Sequence, residues 1–457
     1  NEITGSTVIY LHNEDGNVRN QKTIEEDIEL ENIYFYGLEP ESEFEIKVIA
    51  TIGRDALEIA SKKFTTQSED EIIINTADDF LNMIDNKSGN YVLDQDIDFS
   101  TINFRSPFNA SNTAFSGVFD GNGYALKNIN FQNVETYTGV FGYVSSGVIK
   151  NVTFDNVNIG SMDAPLSTGT SSRVGIVVGY SRSETTRIED VVVKNSSIVF
   201  SSSSAIKVSV GAISGEFLGA VRNVEIINTA IDVTSTSIGA VTIGGAIGLT
   251  TSNANIQQVY AETSIDFELA GINIRNDDVS ILVGGVVGLS SSESKVSEII
   301  SHSDINLEII YNTLADATSG IYRLYVGGLM GQSKNDIQKG YYAGSINMNH
   351  TENENEAEVT KQFRVGGLIG MYESNKPSNK LVRIGEGQIN VTIPEELTID
   401  ISQVFGFDRE NVSSDKGVFG TTHLSVNQVS IVDNDQVDII EDISDYFDSE
   451  WIESYRD

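Results

Sequence analysis

The sequence predicts an all-β chain: a parallel β-helix of three-strand coils with about eight Gly-marked repeats, a small N-terminal β-sandwich, and short helical caps. Two observations predict the β-helix. A six-residue block recurs as IGGAIG (243–248), VGGVVG (283–288), VGGLMG (326–331) and VGGLIG (365–370). The stretches between blocks are rich in Val, Ile and Thr at alternating positions, the period of a strand with one buried face. A third observation, the polar turn GLEPES between alternating runs near the start, predicts the sandwich.

The chain has 457 residues, with 66 acids against 29 bases and a net charge of −37. It lacks the Lys and Arg needed to neutralise phosphates, so nucleic acid and anionic membranes are poor partners. Most of this charge reads as a solvated, self-repelling surface. The chain has no Cys, which excludes disulfides, thiolate metal sites and a Cys nucleophile. No apolar run reaches the length of a membrane span. The opening residues, NEITGSTVIYLHNEDG, read as the middle of a strand, and the chain as a piece of a longer protein.

Residues 1–67 form the first expected domain. IYFYGLEPESEFEIKVIA (33–50) alternates on both sides of a turn built on Gly37 and Pro40, and FTT follows at 64–66. These features resemble a fibronectin type III module, although Phe44 replaces the corner Tyr and the first strands of such a module would lie upstream.

Residues 68–432 form the expected β-helix. The last Gly of each block falls at Gly142, Gly179, Gly215, Gly248, Gly288, Gly331, Gly370 and Gly406, spaced 33 to 43 residues apart. That period suits one coil of three strands and three turns, with each block at an edge of the coil and two inward apolar residues between glycine corners. Each position stacks on its copy about 4.8 Å away, and a stacked Gly lets backbones approach closely. A β-propeller repeats at a similar period but has aromatic blade signatures, and the only Trp is Trp451. The leucine-rich pattern is absent. NMNHTENENEAEVTKQ (347–362) reads as a projecting polar loop.

Caps are expected at both ends, where a solenoid exposes strand edges and core. Thr76 and Asp79 make an approximate capping box before an apolar face of Phe80, Met83 and Ile84. In 433–457, an acidic helical cap or linker, Ile440, Ile443, Phe447 and Trp451 fall on one helical stripe.

The repeats resemble the GLUG family, named for a Gly-Leu-apolar-Gly core, here GGLIG at 366–370. GNYVLDQDIDFS (89–100), FSGVFDGNGYALKNINF (115–131) and TGVFGYVSSGVIKNVTF (138–154) resemble the opening of the β-helical region in streptococcal zinc metallopeptidases that cleave immunoglobulin A. That resemblance covers roughly residues 71–410 and implies a bacterial surface protein. The peptidase zinc helix has two His one turn apart around a Glu, but His12, His302, His350 and His423 never pair at that spacing. No catalytic residue, metal ligand or cofactor-binding residue is assigned.

Asp94, Asp96 and Asp98 alternate along an expected strand, with Asp120 in the FDGNG turn. Calcium is one reading of the four, and a structural Asp turn on a solvated strand is the other. Tyr322, Tyr325, Tyr341 and Tyr342 read either as a sugar-stacking platform or as residues lining adjacent coils. The leading functional expectation is a non-catalytic extracellular stalk, adhesin or fibre segment. Its partners would be a host or neighbouring-cell protein or glycan, or copies of itself. The alternatives are a glycosidase on the β-helix surface and an accessory region of a secreted metallopeptidase.

Overall fold

The computed structural model describes residues 5–13, 16–24, 42–52, 55–65, 71–203, 207–236, 239–274, 278–313, 321–335, 337–353, 360–373, 379–383, 388–392, 399–402, 405–408, 415–418, 422–425, 429–433 and 436–440. The chain divides into two units, Asn1–Ile72 and Ile73–Asp457.

The first unit is a four-stranded antiparallel sheet of β1 (Gly5–Asn13), β2 (Val18–Ile24), β3 (Glu43–Ile52) and β4 (Asp55–Thr65), in the order β2-β1-β3-β4. Ile9, Leu11 and Phe44 are buried, and Phe44 stacks on its cross-strand partner Phe64 at 5.9 Å. The expected sandwich has no second sheet among the described residues, and most of the GLEPES turn lies outside them.

The second unit is a parallel β-solenoid built from three sheets. One coil shows the plan. Face I contributes Ala240–Gly244, a bend follows at 245–246, face II contributes Ile247–Thr250, and face III contributes Asn255–Ile274. Inward residues such as Ile243, Ile247, Ile256, Ile265 and Phe267 join one continuous apolar core. Each such side chain contributes about 1.5–3 kcal/mol by leaving water.

The glycine blocks straddle the bend between faces I and II. Face II is an 8-stranded sheet, and each of the block-ending glycines lies in or beside one of its strands. The partners Ile247↔Val287↔Met330↔Ile369↔Phe405 hold these strands in register. A Cβ on Gly248 would stand 2.6 Å from the carbonyl oxygen of Gly215. On Gly288 it would stand 2.5 Å from that of Gly248, on Gly331 2.7 Å from that of Gly288, and on Gly370 2.7 Å from that of Gly331. The same glycines press on face I: a Cβ on Gly370 would also lie 2.5 Å from the Val326 amide nitrogen. Any side chain here displaces backbone.

Face III bends by a second device. Asn151, Asp190, Asn223, Gln258, Glu298 and Lys339 all have positive φ and occupy one continuous register position. Asn128, Asn156, Asn195 and Asn228 form another left-handed series. Asn and Asp tolerate this conformation best among side-chain-bearing residues.

At the first end, α1 (Ala77–Asn82) has the expected capping box: Thr76 Oγ1 accepts from the Asp79 amide at 3.1 Å, and the Thr76 amide donates to Asp79 Oδ2 at 2.9 Å. Phe80 is inserted among Phe99, Phe119 and Phe141 with edge-to-face contacts of 5.5–5.7 Å. Two other expectations are corrected. Residues 346–353 are a strand, with Ile346, Met348 and His350 buried, so the polar run at 347–362 is not one projecting loop; its outward positions are polar because they face water. At the far end Gln436–Ile440 is a strand, so the expected helix does not begin at 438, while Ile443, Phe447 and Trp451 lie outside the described residues.

The chain instead reverses direction there. Asp415–Val418 runs antiparallel to Ile399–Ser402 of face I, and Thr422–Ser425 to Gln388–Thr392 of face III. Val429–Asp433 runs antiparallel to Asn379–Arg383, and Gln436–Ile440 pairs onto it.

Two outcomes follow from this packing. Gly288→Ala and Gly331→Ala each lower stability by about 1–3 kcal/mol or more in thermal unfolding. Gly169→Ala, whose Cβ would meet only Ser203 Oγ at 3.7 Å, leaves the midpoint unchanged. Thr76→Ala costs about 1 kcal/mol in urea titration. The hydrogen bond from Thr76 lowers the Asp79 pKa, so the Asp79 contribution is present above the usual carboxylate range and is lost as pH falls through the depressed value.

Candidate functional site

Asp94, Asp96 and Asp98 do not share a strand: Asp94 sits in a bend, Asp96 precedes the strand Ile97–Asp98, and only Asp98 of the three lies in it, while Asp120 ends the strand Val118–Asp120. Asp96 Oδ2 pairs with Lys127 Nζ at 2.6 Å and Oδ1 accepts from the Ala125 amide at 2.9 Å. Asp98 Oδ1 accepts from the Ser100 amide and Asn128 Nδ2. Asp120 Oδ1 accepts from the Asn122 amide at 2.8 Å and Asn151 Nδ2 at 3.1 Å, and its other oxygen pairs with Lys150 at 3.0 Å. Lys127 and Asn128 hold Asp96 and Asp98 below the ordinary carboxylate range. These carboxylates are engaged in turns and inter-coil contacts. Among the described residues, no group of three or more His, Asp or Glu is placed to hold a metal ion.

The tyrosine platform is also corrected. Tyr322 and Tyr342 lie fully inside the main core. Tyr325 belongs to a smaller apolar cluster with Leu282 and Met371. Tyr341 is 3% exposed. Inward alternation places Tyr322 and Tyr342, whereas Tyr325 lies on the other face of its strand from the core residues Leu324 and Val326, and Tyr341 packs against His302. His350 takes an inward position in line with Leu269 and Ile309, against Phe363 at 5.0 Å.

The structure instead gathers polar chemistry on the outward side of face III. Inward residues Ile265, Phe267 and Leu269 are buried, so Ser264, Asp266 and Glu268 point away from the core. Parallel register turns these positions into rows. One row runs Asp232, Asp266, Asn306, Asn347, Asn390, and the next runs Thr234, Glu268, Glu308, Asn349, Thr392. The first is stitched by side chains: Asn306 Nδ2 donates to Asp266 Oδ1 at 3.0 Å, Asn347 to Asn306 at 2.9 Å, and Asn390 to Asn347 at 2.7 Å. In the second, Asn349 Nδ2 donates to both Glu308 oxygens at 2.9 Å. The rows line a groove of about 430 Å³.

A second groove of about 480 Å³ lies where face III bends, between Asn195, Asn228, Glu262, Ser264, His302 and Asp304. The His302 ring rests between Tyr260 and Tyr341, at 5.5 and 5.7 Å. Burial lowers the His302 pKa, favouring neutral imidazole. Tyr260 donates to Glu262 at 3.3 Å, and burial, with Glu262 beside it, pushes its pKa up to about 12.

No Lys or Arg lines either groove, and no ion pair reaches Asp232, Asp266, Glu268 or Glu308 among the described residues. Partial burial, then the Asp266 and Glu268 charges, raise the Asp232 pKa. Such a surface repels anions and offers amides, hydroxyls and carboxylates to neutral hydroxyl-rich or cationic ligands. Sequence reading missed these rows because their members lie a full coil apart. The signal was the alternation within DINLEII (304–310) and SINMNH (345–350), once aligned on the glycines.

No family model matches this chain, and no curated protein does. Site assignment therefore rests on geometry.

Asp232→Asn raises the unfolding midpoint at pH 7 by removing a carboxylate crowded by its neighbours. Because the folded-state pKa of Asp232 is raised, the native chain is stabilised as pH falls through that value, and the gain is complete below the unfolded carboxylate pKa. The advantage of the variant therefore shrinks on acidification, as thermal melts at neutral and acid pH would register.

Proposed function

We propose that this chain is a non-catalytic segment of an extracellular bacterial surface protein, acting as a stalk, adhesin or fibre subunit. The outward rows of face III would be its contact surface for a glycan or protein of a host or neighbouring cell. The observation that carries the reading is the in-register repetition of Asp, Glu and Asn on one outward face, which offers a long ligand the same groups coil after coil. The resemblance to GLUG repeats supports the surface location. The net charge of −37 favours uncharged or basic ligands over acidic polysaccharides.

A glycan and host-matrix binding array on the full chain, in calcium and in EDTA, tests this. Binding to neutral or amino-sugar glycans is expected, unchanged by EDTA and reduced at least tenfold by Asp266→Lys with Glu308→Lys. No binding under any condition removes the adhesin reading.

One observation favours a second reading. Asp232, protonated more readily than an ordinary Asp, neighbours Asp266 in the next coil, the combination of acid and carboxylate that a glycosidase uses. Release of reducing ends from an array ligand, abolished by Asp232→Asn, would replace the binding reading with this one.

A further inference from the structure

We propose that the notch between faces I and II, at the blocks ending in Gly142, Gly179 and Gly215, binds a single terminal acidic sugar whose carboxylate docks on Arg173. The site uses no residue of face III and is independent of any ligand there.

Faces I and II lie close at this corner: a Cβ on Gly179 would stand 2.7 Å from the Thr138 amide nitrogen. Tyr137 and Arg173 are register neighbours on face I, and Arg173 lies on the other face of its strand from the core residue Val174. Tyr143, Tyr180 and Glu216 are register neighbours on face II, and their side chains come across to the first pair. Tyr137 stacks on Tyr180 at 5.3 Å, and Tyr143 stands edge-on to both at 5.0 and 5.1 Å. The Arg173 guanidinium lies over the Tyr137 and Tyr180 rings at 5.8 and 5.5 Å. Its Nε donates to Glu216 Oε2 at 3.0 Å, and Lys207 Nζ reaches the same oxygen at 2.9 Å.

Two cations thus share one carboxylate oxygen, which leaves a positive charge in a chain of net charge −37. The Arg173 and Lys207 side chains are 22% and 30% exposed, so the notch opens to water here. Only the Nε of Arg173 makes a hydrogen bond among the described residues. Its terminal edge, Nη1 and Nη2, is left to grip a carboxylate through two parallel hydrogen bonds. The tyrosines beside it offer ring surface and hydroxyls to a pyranose.

Packing alone does not call for charge at these positions. Further along the same two rows, Leu282, Tyr325 and Met371 fill the notch with an apolar cluster. A partly buried ion pair seldom gains stability over such packing, so the charged stretch points to a ligand. The remaining charge sets the ligand's length. A polyanion running along the rod would be repelled by the 66 acids, whereas one terminal carboxylate meets only this notch.

The test is calorimetric titration of the full chain with sialyllactose and with a disaccharide capped by glucuronic acid, against lactose and polygalacturonate. At least one capped sugar is expected to bind tenfold or more tighter than lactose and polygalacturonate, and more weakly as salt rises; which cap it is names the acid. Arg173→Lys keeps the charge and loses the fork, and should weaken that binding at least tenfold. Lys207→Gln, at the rim, should weaken it at least threefold. Circular dichroism checks that both variants fold, and if Arg173→Lys does not, Lys207→Gln decides. Asp266→Lys with Glu308→Lys should leave this binding unchanged, which separates the notch from face III. The proposal is overturned if neither cap outbinds lactose, if polygalacturonate binds as tightly as the caps, if the folded notch variants bind as wild type, or if the face III variant abolishes binding.

Discussion

The solenoid depends on a contact between pieces of backbone. At the bend between faces I and II, the carbonyl of one block glycine lies where the side chain of the next would be, and face I presses on the same atoms. This contact admits no side chain. It fixes the register between coils, because a slip by one residue would push a Val, Ile or Leu into the space only glycine fits. The rest of the architecture inherits that register. Core residues stack on core residues, and outward residues form rows.

The polar residues of the solenoid then divide by what they satisfy. The left-handed series at Asn151, Asp190 and Asn223 serves the backbone, bending face III where an ordinary side chain would be strained. Its members also bind one another across coils, as Asn223 Nδ2 does to Asp190 Oδ1 at 2.6 Å. Asp96, Asp98 and Asp120 belong with this structural set. The Asp266 and Glu308 rows differ, since they bend nothing and face water. Their amide partners cross-link neighbouring coils without neutralising charge. A carboxylate without a basic neighbour, crowded by another carboxylate, is costly to keep unless ligand contact or solubility rewards it.

Much of this was legible in the sequence, for reasons that particular residues make plain. The glycine blocks announced face II because a backbone contact leaves no choice of residue. Thr76 and Asp79 announced α1 because a capping box is local. What failed was non-local. Alternation cannot tell a parallel strand from an antiparallel one, so the reversal after Phe405–Asp408 left no mark. The stripe through Ile440 suited a helix by spacing, while the structure places Ile440 in a strand by pairing. Asp94 to Asp98 alternated but did not share a strand, because the chain bends between them. Polarity at 347–353 reflected one outward face, and His350 showed the other.

The reversed last turn also sets how far the fold extends. In a stack of parallel coils each finished layer is a mould for the next, and nothing in its repeating geometry says where to stop. The strands from Asp415 onward lie across that mould with their direction inverted, so a further parallel coil finds a ladder of the wrong polarity. With Phe80 plugging the other end, the number of layers is written into the chain and does not depend on its concentration. Among the described residues the solenoid thus carries its own stop at the reversed strands, as an amyloid filament does not.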